Sequence, residues 1–225
     1  MVHSVFITGT DTGAGKTWVT AAAVHSLLAQ GIRARALKPV ACGLDGAGRN
    51  EDIDALLSVQ GLTDADLINL YRYAQPAAPS QAAAAEGETV DPKRLVQWCH
   101  ARAAGLQGCL IEGVGGLMTP VAGNWLVSDW IAAMPDCEIW LVVGCKLGAI
   151  NQTLLTLDKL KQMQRSPARI IFNAVSVEDQ AWIASTRLAV EPFLQSACAL
   201  SSLNFGGRIS GQISGLQNMP ASSYC

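Results

Sequence analysis

The chain has 225 residues, 50% of them apolar and 15% charged, with a formal net charge of −2. That is enough for one large core and short for two domains, so a single domain over residues 1–225 is expected. There is no basic stripe to suit nucleic acid, and no apolar run near a membrane span in length; residues 139–144 are the longest beside a strand.

The first strand-like segment covers residues 2–8 and carries Val5-Phe6-Ile7. It runs into Gly9-Thr10-Asp11-Thr12-Gly13-Ala14-Gly15-Lys16-Thr17, a phosphate-binding loop. Its glycines let backbone N–H groups curl around phosphate oxygens. Lys16 suits the outer phosphates, and the Thr17 hydroxyl suits magnesium. With Gly9 as the first glycine the pattern is G-x5-G-K-T, one residue longer than the usual spacing. A helix over 16–30 follows, with Val19, Ala22, Ala23, Leu27 and Leu28 on one face and Gly31 as its stop. Its positive end points at the same anion.

A second strand is expected over 33–40, ending at Lys38-Pro39. It follows the loop strand in sequence, which puts Lys38 beside the phosphates, where a second cation would stabilise developing charge. A short helix over 51–60 opens on Glu51, Asp52 and Asp54. Two readings of these carboxylates stand equal: compensation of the helix dipole, and a magnesium ligand. Residues 73–88 are rich in Ala, Pro and Gln and read as a loop with a short helix over 80–86. Asp91 caps a helix over 92–104, with Pro92 at its first position.

The next strand, 107–111, leads to Glu112 and a second glycine-rich loop, Gly113-Val114-Gly115-Gly116. A carboxylate after so apolar a strand is paired, metal-bound or at the rim. Strand 138–143 leads to Gly144-Cys145-Lys146-Leu147-Gly148, and a helix over 149–164 follows. Its start, Gly148-Ala149-Ile150-Asn151, suits a carboxylate ligand, with Asn151 equally read as a cap. Strand 169–172 leads to Asn173, which either bonds an adenine edge or ends the strand. A helix over 178–195 comes next, and residues 199–225 show no clear element.

Each apolar strand runs into polar or glycine residues. This is the mark of an α/β fold, a mostly parallel central sheet with helices on both faces. Ligands of such sheets sit beyond the carboxyl ends of the strands, so the segments at Gly9, Lys38, Glu112, Lys146 and Asn173 should share one rim.

Seven cysteines, an odd number with no C-x-x-C pair, argue against a zinc site or a disulfide framework and for a reducing cytoplasm. Residues 1–8 lack the features of a secretory leader. The three histidines are scattered and suggest no metal site.

Taken together, the segments resemble the dethiobiotin synthase family. The matching stretches are the Gly9–Thr17 loop, Lys38-Pro39-Val40 with Gly43, Arg49-Asn50-Glu51-Asp52, Glu112 to Gly116 with Thr119-Pro120, Ser128-Asp129-Trp130, Val142 to Gly148 with Asn151, and Asn173. The resemblance implies a homodimeric P-loop enzyme that uses MgATP and CO2 (or bicarbonate) to close a cyclic urea on 7,8-diaminononanoate. One amine takes up CO2 as a carbamate, the carbamate oxygen attacks the γ-phosphate, and the second amine closes the ring.

Carried onto this chain, the resemblance gives Lys16 and Lys38 the charge-stabilising roles and places Thr12 between carbamate and γ-phosphate. It gives Gly13, Ala14, Gly15, Lys16, Thr17, Glu112, Gly115, Gly116 and Asn173 to the nucleotide, with Asn173 on adenine. Magnesium falls to Thr17, Asp52 and Glu112. Thr12, Lys38 and Cys42 border the substrate, and Gly148, Ala149, Ile150 and Asn151 take its carboxylate from the second subunit. Gly13 stands where some members carry glutamate, and Cys42 where many carry Ser or Thr, a thiol being the weaker donor. Residues 199–205 read Ala-Leu-Ser-Ser-Leu-Asn-Phe in place of the family's Ile-Pro-Trp type segment.

The runner-up is a partition-type or iron-protein-type switch ATPase. Such loops carry a second lysine near their first glycine; here Thr10, Asp11 and Thr12 fill that stretch.

Overall fold

The structure, a computed structural model, describes residues 2–194 and 198–204. Its centre is β1 (His3–Gly9), whose Val5, Phe6 and Ile7 are fully buried. Helix α1 (Lys16–Ala29) follows the phosphate loop and buries Val19, Ala22, Ala23 and Leu27, the face its periodicity marks.

The expected strand over 33–40 is in fact two. β2 (Ala34–Leu37) stays in the main sheet, and β3 (Val40–Cys42) leaves it to pair in parallel with β4 (Tyr71–Tyr73). The break falls at Lys38-Pro39, because proline has no N–H for the ladder and its neighbour is sterically restricted. The Pro39 carbonyl instead accepts from the Leu70 and Tyr71 N–H groups. Between β3 and β4 lies α2 (Glu51–Gln60), capped by the Asn50 side chain, which accepts from Ile53 N at 3.2 Å.

After β4, α3 (Pro79–Ala85) begins one residue earlier than expected, with Pro79 opening it. In α4 (Pro92–Ala103), Asp91 caps as read from the sequence, accepting from Lys93 N and Arg94 N. Strand β5 (Gly108–Gly116) does not stop before Glu112 but runs through it and through the glycines. Gly113 stays small for a local reason: a Cβ there would lie 2.9 Å from the Phe6 ring. The hairpin β6 (Pro120–Ala122) and β7 (Trp125–Leu126) and the short α5 (Val127–Ala132) were not distinguished in the sequence.

β8 (Glu138–Gly144), α6 (Ala149–Gln162) and β9 (Arg169–Asn173) fall within two residues of expectation. Helix α7 (Gln180–Val190) is shorter than the expected 178–195, giving way to a 3-10 turn at Glu191–Phe193; residue 195 lies outside the described residues. β10 (Ala199–Leu203) is a strand where none was expected. The rest of that weakly patterned stretch, 205–225, lies outside the described residues.

The six main strands are all parallel, in the order β10-β9-β8-β1-β5-β2. The chain fills one side of β1 first and then crosses to the other, so the crevice for a ligand opens at the carboxyl end of β1. Helices α1, α4 and α5 pack on β5, α6 on β8, and α7 on β9. Successive strand residues point to opposite faces. Accordingly Leu141, Val143, Ile170 and Phe172 join one apolar core with Ala149, Ile183 and Val190, while Val142 and Ile171 join the larger core. Both faces of the sheet are therefore buried.

At the middle of the larger core the Phe6 ring meets the Trp130 ring edge-on at 5.0 Å. Among the described residues no helix is long and apolar enough to cross a membrane. Replacing Phe6 by Ala removes that ring from a filled site and should destabilise the fold by about 3–5 kcal/mol. Urea unfolding of the variant against the parent measures it; a loss below about 1 kcal/mol would contradict the central place given to this contact.

Candidate functional site

The phosphate loop is held from below by two strands. Thr10 N donates to Val142 O in β8 at 2.9 Å, and Asn173 Nδ2 at the end of β9 donates to Ala14 O at 3.0 Å. Contact is close: a Cβ on Gly144 would lie 2.9 Å from Ala14 Cα, and one on Gly15 would lie 2.1 Å from Asn173 Nδ2. Gly15 also has φ +88°, a left-handed conformation that disfavours any side chain, and it serves as the N-cap of α1.

Lys16, the first residue of α1, is 7% exposed, and its Nζ donates to Asp11 O at 3.1 Å. Burial, together with repulsion from Lys38, lowers its pKa to about 8, against the opposing pull of Glu112, Asp52 and Asp11. An ammonium held only by a backbone carbonyl, with no carboxylate bonded to it, is well placed for a phosphate.

Glu112 is the fixed point of the site. It is fully buried, in the middle of a strand. The parallel register pairs Leu37 with Ile111 and Ile7 with Glu112, so the residue after Leu37 comes up beside Glu112. That residue is Lys38. Its Nζ lies 2.5 Å from Glu112 Oε1 and 2.6 Å from Asp52 Oδ2. Thr17 Oγ1 donates to Glu112 Oε1 at 2.6 Å. Burial opposes the charge on Lys38, but Glu112 and Asp52 outweigh it and hold its pKa above the ordinary value. Burial also opposes the charge on Asp52; Lys38, Thr17 and Lys16 outweigh it and hold the carboxyl below its usual range. Asp52 thus does more than compensate the α2 dipole.

The open cleft above has a volume of about 1230 Å³, beyond the roughly 300–1000 Å³ of a pocket for one small molecule. Thr12, Gly13, Gly15, Lys16, Thr17, Lys38, Cys42, Asp52, Glu112, Gly115, Gly116 and Asn173 line it. Burial pushes the Cys42 thiol up to about 11 against the pull of Lys38, so it stays neutral there. Ala14 is buried beneath the loop and does not line the cleft. Neither do Gly148, Ala149, Ile150 and Asn151; Ala149 is in the core, and Ile150 is 40% exposed. The rest of α6 does reach the cleft, through Gln152, Leu155, Thr156 and Lys159. Those four were missed, although their spacing marks one helical face.

Asp11 was missed too. Its Oδ2 accepts from Gln152 Nε2 at 3.2 Å and lies 3.5 Å from Lys146 Nζ, which ties α6 and the loop after β8 to the phosphate loop. Only folding brings these three together. The cleft contains no side-chain pairing of Ser or Cys with His, all three histidines lying elsewhere.

Among the described residues no three or more His, Cys, Asp or Glu are grouped to hold a metal by themselves. Thr17, Asp52 and Glu112 nevertheless fit magnesium, which takes one or two carboxylates and completes its shell with phosphate oxygens and water. Glu112 Oε2 is buried without a hydrogen-bond partner among the described residues, as a ligand atom in waiting would be.

Sheet order, loop and paired cations define a P-loop nucleotide-binding protein. The chain belongs to the AAA domain family, whose model matches residues 3–210. Among solved structures it is similar to FtsY of Thermotoga maritima (17% identity, TM-score 0.53, covering 93% of this chain and 63% of that one). It is also similar to chloroplast FtsY of Physcomitrella patens (16%, 0.51, 96% and 63%). A third is the signal recognition particle receptor FtsY of Elizabethkingia anophelis in complex with GDP (12%, 0.52, 96% and 62%). The chain spans under two thirds of the length of these proteins, and at such identity the likeness is one of fold.

Phosphate beside Lys16 favours its charged form, so its pKa in a nucleotide complex stands above about 8. Affinity for nucleotide without divalent ions should be full below that pH and fall above it, by up to about tenfold per unit. Titration calorimetry from pH 7 to 9.5 in buffers of differing ionisation enthalpy checks both the fall and the proton uptake. A flat profile, or the same fall in Lys16→Met, would contradict the assignment.

Proposed function

We propose that the chain is an ATP-dependent dethiobiotin synthase acting on 7,8-diaminononanoate and CO2. One observation carries the reading. Two buried lysines from different elements, Lys16 of α1 and Lys38 after β2, converge on a cleft larger than one small ligand needs, where no Ser or Cys is paired with a His. Phosphoryl transfer to a bound carbamate requires that arrangement: positioning and positive charge, with no covalent enzyme intermediate.

In this reading the loop N–H groups and Lys16 hold the ATP phosphates. An amine of the substrate adds to CO2, forming an N–C bond and losing a proton to solvent. The carbamate oxygen attacks the γ-phosphorus as the bond to ADP breaks, while Lys16 and Lys38 balance the charge spreading over the transferred group. Thr12 lies between the two reacting groups. The second amine then attacks the carbonyl carbon, the ring closes, and phosphate leaves. Thr17, Asp52 and Glu112 would hold magnesium, which when bound would add to the neutralisation of the phosphates. The neutral Cys42 thiol borders the diamine. Asn173 keeps its Oδ1 for the adenine amino group.

The substrate carboxylate goes to the α6 start of a second subunit. Supporting this, Gly148 to Asn151 lie off their own cleft, while Leu147, Ile150 and Leu155 expose apolar surface on the same helix and its lead-in loop.

Incubating the protein with MgATP, bicarbonate and diaminononanoate should give dethiobiotin and ADP in equal amounts; no diamine-dependent ADP release would sink the reading. Lys16→Ala and Lys38→Ala should each lower turnover by about 10²-fold or more. GTP in place of ATP tests the nucleotide. A fully active, strictly monomeric protein in the ultracentrifuge would rule out the shared site.

A further inference from the structure

Lys38 is set between the two carboxylates given above to magnesium. Its Nζ contacts Asp52 Oδ2 and Glu112 Oε1, and Thr17 shares the second oxygen. The three groups that would hold the metal are therefore already gathered around an ammonium. We propose that Lys38 is a tethered counter-cation for the metal site: it holds Asp52 and Glu112 together until a divalent ion takes them, and its displacement delivers Nζ to the cleft. This rests on the reading of Thr17, Asp52 and Glu112 as metal ligands.

Three features carry it. Glu112 is fully buried, and a buried carboxylate with no cation beside it is strongly destabilising. Lys38 is that cation, since the neighbouring Lys16 Nζ hydrogen-bonds to Asp11 O. Next, two cations claim the same pair of carboxylates, Nζ holding Glu112 Oε1 and Asp52 Oδ2 while Glu112 Oε2 stays open to a metal. A divalent ion bound there with Nζ still in place would put like charges side by side in a region of low dielectric. Last, the Lys38 backbone is fixed while its side chain is long. Its N–H donates to Ile68 O at 2.8 Å, and its carbonyl accepts from Asn69 Nδ2 at 2.7 Å. Only the four-carbon stem is left to move, and Lys38 lines the cleft.

The exchange makes metal and nucleotide cooperative. Without nucleotide a divalent ion must displace Nζ with no anion to receive it. With phosphate in the cleft, Nζ has a new partner, and each ligand favours the other.

The test is Mn²⁺ binding by calorimetry, with and without ADP, in the wild-type chain and in Lys38→Met. The variant keeps the length of the side chain and loses its charge. Its Kd for Mn²⁺ without nucleotide should be at least roughly tenfold lower than that of wild type, and the gain in affinity on adding ADP should shrink. Equal or weaker Mn²⁺ binding by Lys38→Met, with wild type binding Mn²⁺ normally alongside ADP, overturns the counter-cation role alone. No Mn²⁺ binding by wild type even with ADP overturns the metal reading and this role together.

Lys38→Met leaves a buried charge uncompensated, so its fold is followed as well. Mn²⁺ should raise its melting temperature more steeply than that of wild type, because the ion restores the missing charge. A variant that stays unfolded at saturating Mn²⁺, or melts independently of it, also counts against the proposal.

Discussion

A fully buried carboxylate in the middle of a parallel sheet is the constraint around which this site is built. Glu112 is out of reach of water, so the fold must bring partners to it. Those partners come from three separate elements: Lys38 from the end of β2, Thr17 from the first turn of α1, and, through Lys38, Asp52 from the first turn of α2. Sheet register sets the first contact. The start of α1 is set by the loop that leaves β1, the strand paired with β5 through Ile7 and Glu112. Phosphate site and charge network are thus one assembly.

The loop itself is shaped by contact as much as by its own sequence. Ala14 is enclosed between the end of β8 and the side chain of Asn173, and neither Gly144 nor Gly15 has room for a methyl group. A P-loop is often described by the N–H groups it aims at phosphate. Here the opposite side matters equally, because a buried carbonyl at Ala14 needs the donor that Asn173 provides.

Helix α6 has two distinct aspects. Its inner face, from Gln152 to Lys159, forms a wall of the cleft and holds Asp11 of the loop. Its start lies off the cleft, beside exposed Leu147 and Ile150.

Much of this was legible in the order of residues alone. The period of Val19, Ala22 and Leu27 marked α1, the apolar runs marked β1, β8 and β9, and Asp91 with Pro92 marked the start of α4. These signals are local, each needing only a few neighbours along the chain. The parallel sheet followed from their alternation, and the candidate rim from the rule that ligands sit at strand ends. β10 escaped because its Leu-Ser-Ser-Leu core lacks a strong apolar pattern; pairing with β9 at the sheet edge makes it a strand. β2 and β3 were read as one because Pro39 marks a break without saying which sheet each half joins. Glu112 was read as the end of a strand, when register carries the strand past it. Nothing along the chain could reveal that Lys38 and Glu112, 74 residues apart, share a hydrogen bond, or that Gln152 reaches Asp11 across 141. Residue types and local periods identify the parts, but distances between charges depend on strand register and helix packing, which exist only once the whole core has closed.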